Sequence, residues 1–95
     1  MDTGSLLEKL RSLKPHLNEM NIRRMAVFGS HARGEARNDS DVDLLIEFID
    51  TPGYMDFVET KHKLESLLGV PVDLVTFKAL KTERHKKILD EAINV

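Results

Sequence analysis

Val42, Leu44, Ile46 and Phe48 alternate with Asp43, Leu45, Glu47 and Ile49. A period of two belongs to a β-strand, and apolar residues in both phases mean that both of its faces are covered. Such a strand sits inside a sheet, so the rest of the chain must supply its neighbours and its layers. With 95 residues, 41% of them hydrophobic, the chain has material for one domain burying roughly 60–65% of the surface it exposes when unfolded. Residues 1–95 are therefore read as a single domain, with no room for a second one carrying substrate.

The flanking segments supply those neighbours. Ser5-Leu6-Leu7-Glu8 has the spacing of a capping box, which starts a first helix at Ser5. Leu6, Leu10, Leu13 and Leu17 recur at helical spacing, and Pro15 ends that helix near Lys14 because it lacks an amide hydrogen. Ile22 to Phe28 reads as a strand ending at Gly29, and Ser30 to Arg33 as a short turn or helix. Thr51-Pro52 offers an N-cap and a proline at the first helical position, with Tyr54, Phe57, Lys61, Leu64 and Leu68 on one face. Gly69 closes this helix as a left-handed cap. Val70 to Phe77 is a third strand, and a final helix is expected from about Thr82 to Ala92, with Ile88, Leu89 and Ala92 inward. The order αβαβαβα predicts an α/β fold on a small three-stranded mixed sheet.

Composition removes several function classes. Fourteen basic and sixteen acidic residues leave a net charge of -2, without the broad positive field that draws proteins to nucleic acid. Direct nucleic-acid binding is not expected. There is no cysteine, which excludes disulfides and thiolate metal sites and suits a reducing cytoplasm. No segment approaches the roughly 20 apolar residues that span a bilayer, and the first residues lack a signal-peptide pattern. A soluble, cytoplasmic location is the expectation.

The chemistry concentrates in Phe28-Gly29-Ser30-His31-Ala32-Arg33-Gly34 and in Asn38-Asp39-Ser40-Asp41-Val42-Asp43-Leu44. Asp41 and Asp43, two residues apart, point the same way from the start of the central strand. Two carboxylates this close oppose each other's ionisation unless a cation lies between them, and magnesium suits such hard oxygen ligands. If the strand ending at Gly29 runs antiparallel to the central one, the glycine turn lies beside this pair. If a right-handed crossover makes the third strand parallel to the central one, Asp73 lies alongside Asp43. Two metal ions about 4 Å apart would then bridge the carboxylates in an in-line displacement at phosphorus. Gly29 and Ser30 let backbone approach a phosphate, and Arg33 reaches it with a planar fork of donors. Asp73 either completes the metal site or takes a proton from the attacking hydroxyl.

Competing motifs fail on particular residues. Gly29-x-x-x-x-Gly34 opens like a P-loop, but Glu35 and Ala36 stand where lysine and a hydroxyl residue are needed. Asp39, Asp41 and Asp43 imitate a calcium loop, but Leu44 occupies the position of its obligatory glycine. His16, His31, His62 and His85 show no metal-ligand spacing and read as surface or boundary residues.

Gly29-Ser30-His31-Ala32-Arg33-Gly34 followed by Ser40-Asp41-Val42-Asp43-Leu44 resembles the signature of the polymerase-beta nucleotidyltransferase superfamily. In a chain this short it resembles the minimal nucleotidyltransferases, the MNT-type antitoxins. The resemblance spans Leu6 to Val95 and implies a nucleotidyltransferase fold using ATP and Mg2+ to transfer AMP to a hydroxyl. By that likeness Gly29 and Ser30 match the triphosphate-contacting pair, Asp41 and Asp43 the metal ligands, and Asp73 the third acidic position. It also implies a HEPN-domain toxin as partner, modified on a tyrosine, with a hetero-oligomer or homo-oligomer as the assembly. Two alternatives stand beside it: an antitoxin that neutralises by binding alone, through Lys81, Arg84, Lys86 and Lys87 or the first helix, and a transferase for a small molecule or RNA.

Overall fold

The computed structural model describes residues 2–37, 41–80 and 86–95. Helix α1 (Thr3–Leu13) leads through two short 3-10 turns into strand β1 (Ile22–Phe28). The one-turn helix α2 (Gly29–Ala32), strand β2 (Val42–Phe48), helix α3 (Tyr54–Leu68) and strand β3 (Val72–Thr76) follow. Helix α4 (Lys86–Glu91) and a two-residue strand β4 (Ile93–Asn94) complete the described elements.

The sheet has four strands in the order β3-β2-β1-β4, one more than the periodicity predicts. The β1–β2 and β1–β4 pairs are antiparallel and the β2–β3 pair is parallel, so the sheet is mixed, with β2 inside it. β4 pairs Ile93 with Val27 and Asn94 with Ala26, and the Val95 amide donates to the Met25 carbonyl at 3.1 Å.

The two faces of the sheet do different work. Met25 and Val27, Val42, Leu44 and Ile46, and Val72 and Leu74 share one face and form the main core with Leu6, Leu10 and Leu17 and with Leu64 and Leu68. Leu6, Leu10, Leu44, Ile46 and Leu64 are wholly buried, each contributing about 1.5–3 kcal/mol relative to an exposed side chain. The opposite face carries Phe28, Ala26 and Arg24, paired with Asp43, Leu45 and Glu47, and beyond them Asp73 and Val75. Ala26 and Leu45 are buried there too, while the ends of this face are polar.

Several boundaries depart from the sequence reading. Asp2, not Ser5, caps α1: its Oδ1 accepts the Ser5 amide at 2.7 Å, so the helix starts at Thr3. A carboxylate one turn earlier takes the Ser5 amide, the group that Glu8 would have accepted from in a capping box. The helix ends at Leu13, as Pro15 requires. Thr51 and Pro52 lie in the connection before the helix; α3 begins at Tyr54 after Gly53, and Tyr54 is 80% exposed rather than core-facing. Gly69 does cap α3 in the left-handed region, at φ 74°. β3 is trimmed at both ends relative to residues 70–77. In α4, Leu89 is exposed while Ile88 and Ala92 are half-buried. The expected start of this helix at Thr82, like Lys81, Arg84 and the turn Asn38 to Ser40, lies outside the described residues. No helix among the described residues is long and apolar enough to cross a membrane.

Candidate active site

The antiparallel β1–β2 ladder places Phe28 opposite Asp43. The next residue, Gly29, turns the chain with φ 70°, so backbone passes directly over the Asp43 side chain. A Cβ on Gly29 would overlap an Asp43 carboxylate oxygen and lie 2.9 Å from Asp43 Cγ. Only glycine fits, for two separate reasons: the positive φ and the absence of space. Ser30 follows in α2, half-buried, and its carbonyl accepts the Glu35 amide at 2.8 Å.

The parallel β2–β3 register aligns Asp43 with Asp73. Glu65 fixes the start of β3, its Oε2 accepting the Val72 amide at 3.0 Å, while the Val42 amide donates to the Pro71 carbonyl at 3.0 Å. Asp41 lies just before β2 and is exposed, as is Asp73; Asp43 is half-buried. Burial first, then the neighbouring charges of Asp73 and Asp41 and a hydrogen bond with Asp73, push the Asp43 carboxyl above the ordinary carboxylate range. The Arg33 guanidinium acts on it in the opposite direction. Asp41, Asp43, Asp73, Gly29 and Arg33 therefore share one end of the sheet, as the topological argument requires.

Arg33 has two partners that the sequence did not reveal. Its Nε donates to Glu35 Oε2 at 3.0 Å, and its Nη1 stands 3.5 Å from Glu91 Oε2 at the end of α4. Hydrogen bonding to Glu35 leads the influences that raise the Arg33 pKa. Glu35 is near in sequence, but Glu91 arrives only through the packing of α4, and no local pattern announces it.

His31 corrects another expectation. It is 1% exposed, not a surface residue, and among the described residues its Nδ1 has no hydrogen-bond partner. Burial depresses its pKa, so the ring is held neutral. Thr3 Oγ1 donates to the His31 carbonyl at 2.9 Å, which ties the start of α1 to α2. A one-turn helix is too short to display a period, so nothing in the sequence marked this side chain as inward.

A cavity of about 260 Å³ opens at the other end of the sheet, lined by Ile46, Phe48, Pro52, Phe57, Thr76 and Lys78 among others. It lies beyond the C-terminal ends of β2 and β3, away from the carboxylates, and is not where they converge.

Comparison with known proteins agrees with this geometry. The nucleotidyltransferase domain family matches residues 5–95. A protein adenylyltransferase, MntA, of Thermococcus cleftensis is 43% identical over 94 residues, covering 94% of this chain and 95% of that one. A solved minimal nucleotidyltransferase superposes with a TM-score of 0.82 at 39% identity, covering 100% of this chain and 97% of its own. A complex of a tri-AMPylated HEPN toxin with an MNT antitoxin from Shewanella oneidensis shares the fold, with a TM-score of 0.58 at 22% identity, covering 97% of this chain and 66% of that one. From its α/β fold, its turn at Gly29 and its matched sequence, the chain belongs to the nucleotidyltransferase domain family.

Proposed function

We propose that this protein is a magnesium-dependent adenylyltransferase that moves AMP from ATP onto a tyrosine hydroxyl of a HEPN-type toxin and thereby acts as its antitoxin. The observation that carries the reading is the side-chain-free approach of Gly29 to Asp43, with Asp73 in register alongside. Backbone alone can come that close to a carboxylate while leaving room for a phosphate between neighbouring donors. The name of the Thermococcus relative and the modified toxin of the Shewanella complex supply the acceptor class.

The donor set suits a hard divalent cation. Asp41 and Asp43 would hold Mg2+, and the carboxylate repulsion that adds to burial in opposing Asp43 ionisation is what a cation relieves. Magnesium takes substrate phosphates and water as its other ligands, so a few carboxylates suffice to hold it. When bound, the ion neutralises charge that builds on phosphate oxygens during displacement.

The chain's own residues account for the rest. Gly29 and Ser30 seat the triphosphate by backbone approach, and Arg33 supplies donors to it. The toxin's tyrosine oxygen forms a bond to the α-phosphorus as the bond from that phosphorus to pyrophosphate breaks. Asp73, open to solvent, accepts the phenolic proton. Holding both reactants in line accounts for much of the acceleration, because orientation replaces a chance encounter.

The test is label transfer. The protein is incubated with Mg2+, ATP labelled at the α-phosphate and a candidate HEPN-type toxin, and compared with Asp41→Asn and Asp43→Asn. Label on the toxin that both substitutions abolish supports transfer. Full neutralisation by both variants without label favours an antitoxin that works by occupation alone.

A further inference from the structure

We infer that Glu91 is a positioning residue of the nucleotide site, aiming Arg33 at the triphosphate from the far end of the chain. The inference rests on the phosphate-binding role proposed for Arg33 and adds a residue to it from an element outside the sequence motif.

Three observations meet at Glu91. First, its Oε2 lies 3.5 Å from Arg33 Nη1, and its side chain is 28% exposed, the more buried of the two carboxylates that hold this guanidinium. Second, Glu91 is not on a free helix end. Two residues later the chain enters β4, which pairs with Ala26 and Val27 and is secured by the Val95 amide on Met25. Those β1 residues lie just before Phe28 and Gly29, so the anchor of Glu91 and the phosphate turn are built on the same strand. Third, Glu35 takes Nε at 3.0 Å, so carboxylates from two separate segments engage two different nitrogens of the one guanidinium. A guanidinium is a rigid planar fork. Holding it at both Nε and Nη1 sets the direction of its remaining donors, and Arg33 already acts electrostatically on Asp43.

An unheld arginine would have to be ordered when nucleotide binds, at a cost on the order of 1 kcal/mol for a side chain rich in rotamers. Glu91 and Glu35 meet part of that cost in advance. Both pairs are partly exposed and therefore weak, which fits orientation more than stability. The same weakness sets the expected size of the effect.

The experiment measures dissociation constants by calorimetry for a non-hydrolysable ATP analogue with Mg2+, and for adenosine, on wild type, Arg33→Ala, Glu91→Gln and the double variant. Glu91→Gln is expected to weaken analogue binding roughly three- to fivefold, the scale of a part-exposed ion pair, and to leave adenosine binding unchanged. In the Arg33→Ala background the Glu91 substitution should do nothing further. Tighter analogue binding by Glu91→Gln would overturn the inference, because the carboxylate would then be competing with phosphate. So would an equal loss for adenosine, or an undiminished loss without Arg33. If Arg33→Ala alone leaves analogue affinity intact, the phosphate role of Arg33 fails first and this inference with it; if Arg33→Ala weakens binding and Glu91→Gln does not, only the role of Glu91 fails.

Discussion

Replacing Gly29 by alanine separates backbone strain from site geometry, because Gly69 provides a matched control. The two residues have nearly the same positive φ, 70° and 74°. A Cβ on Gly69 meets nothing within 4 Å, whereas on Gly29 it runs into Asp43. Gly69→Ala therefore costs the left-handed conformation alone, about 1–2 kcal/mol, less the few tenths to 1 kcal/mol returned by a stiffer unfolded chain. A net loss of about 1 kcal/mol lowers Tm by roughly 4–8 °C for a domain of this size. Gly29→Ala carries that same loss plus about 1–3 kcal/mol of overpacking, so its Tm should fall two to four times as far. Asp43 must also retreat by on the order of 1 Å, a misplacement that can cost about 10²-fold in rate. The assays are thermal melts by circular dichroism and transfer of labelled AMP to the toxin at a temperature where both variants are folded. Gly69→Ala should keep transfer close to wild type. Equal Tm losses in the two variants, or full transfer by Gly29→Ala, would refute the claim that the Gly29–Asp43 approach is both tight and functional.

Other outcomes follow from single residues. Asp43→Asn should reduce AMP transfer on the order of 10²–10³-fold, about 3–4 kcal/mol of transition-state charge stabilisation, and yet stabilise the cation-free fold at neutral pH. The sign follows from linkage: the folded state binds the Asp43 proton more tightly than the unfolded chain, so stability falls as pH rises from 3.8 through the raised folded value, and urea melts of Asp43→Asn should lack that decline. His31 has the opposite sense. Its folded pKa is depressed, so stability is lost as pH falls from 6.5 toward the lower folded value, and His31→Leu, which removes the buried imidazole, should flatten melts across that window. Asn21 sits at φ 61° and clasps Asp50, donating from Nδ2 to its carbonyl at 2.7 Å and accepting its amide on Oδ1 at 2.9 Å. Asn21→Gly keeps the backbone and loses both bonds, so a loss of about 1–3 kcal/mol in denaturant unfolding is expected; no loss would mean that the clasp adds nothing. Leu44→Ala, at a wholly buried position, should cost about 2–5 kcal/mol, a large share of the 5–15 kcal/mol typical of a domain.

The chain-order logic of the site could be read in advance where a geometric rule fixed the answer. Period-two alternation placed β2 inside the sheet. The right-handed crossover rule aligned Asp73 with Asp43, and the antiparallel return of β1 brought Gly29 over the pair. Local competition was harder to see. Ser5 read as the cap, but Asp2 one turn earlier takes that role; Pro52 resembled a helix start but lies in the connection before Gly53. β4 has only two residues, too few to show a period, and exists because β1 has an unpaired edge beside it. The Arg33–Glu91 pair joins residues from elements whose packing no local pattern encodes. The burial of His31 likewise depends on where α1 lands.

The alternation along β2 makes cohesion and chemistry inseparable in this chain. Val42, Leu44 and Ile46 hold the molecule together while Asp43, between them, faces the acidic end. Deleting or inserting one residue within the strand cannot be absorbed by sliding it, since a shift of one position would drive the carboxylate into the main core and turn Leu44 onto the acidic face. Length changes should therefore be tolerated in the connections on either side and forbidden within the strand, so that variation among descendants of such a sequence would accumulate around β2 and never through it.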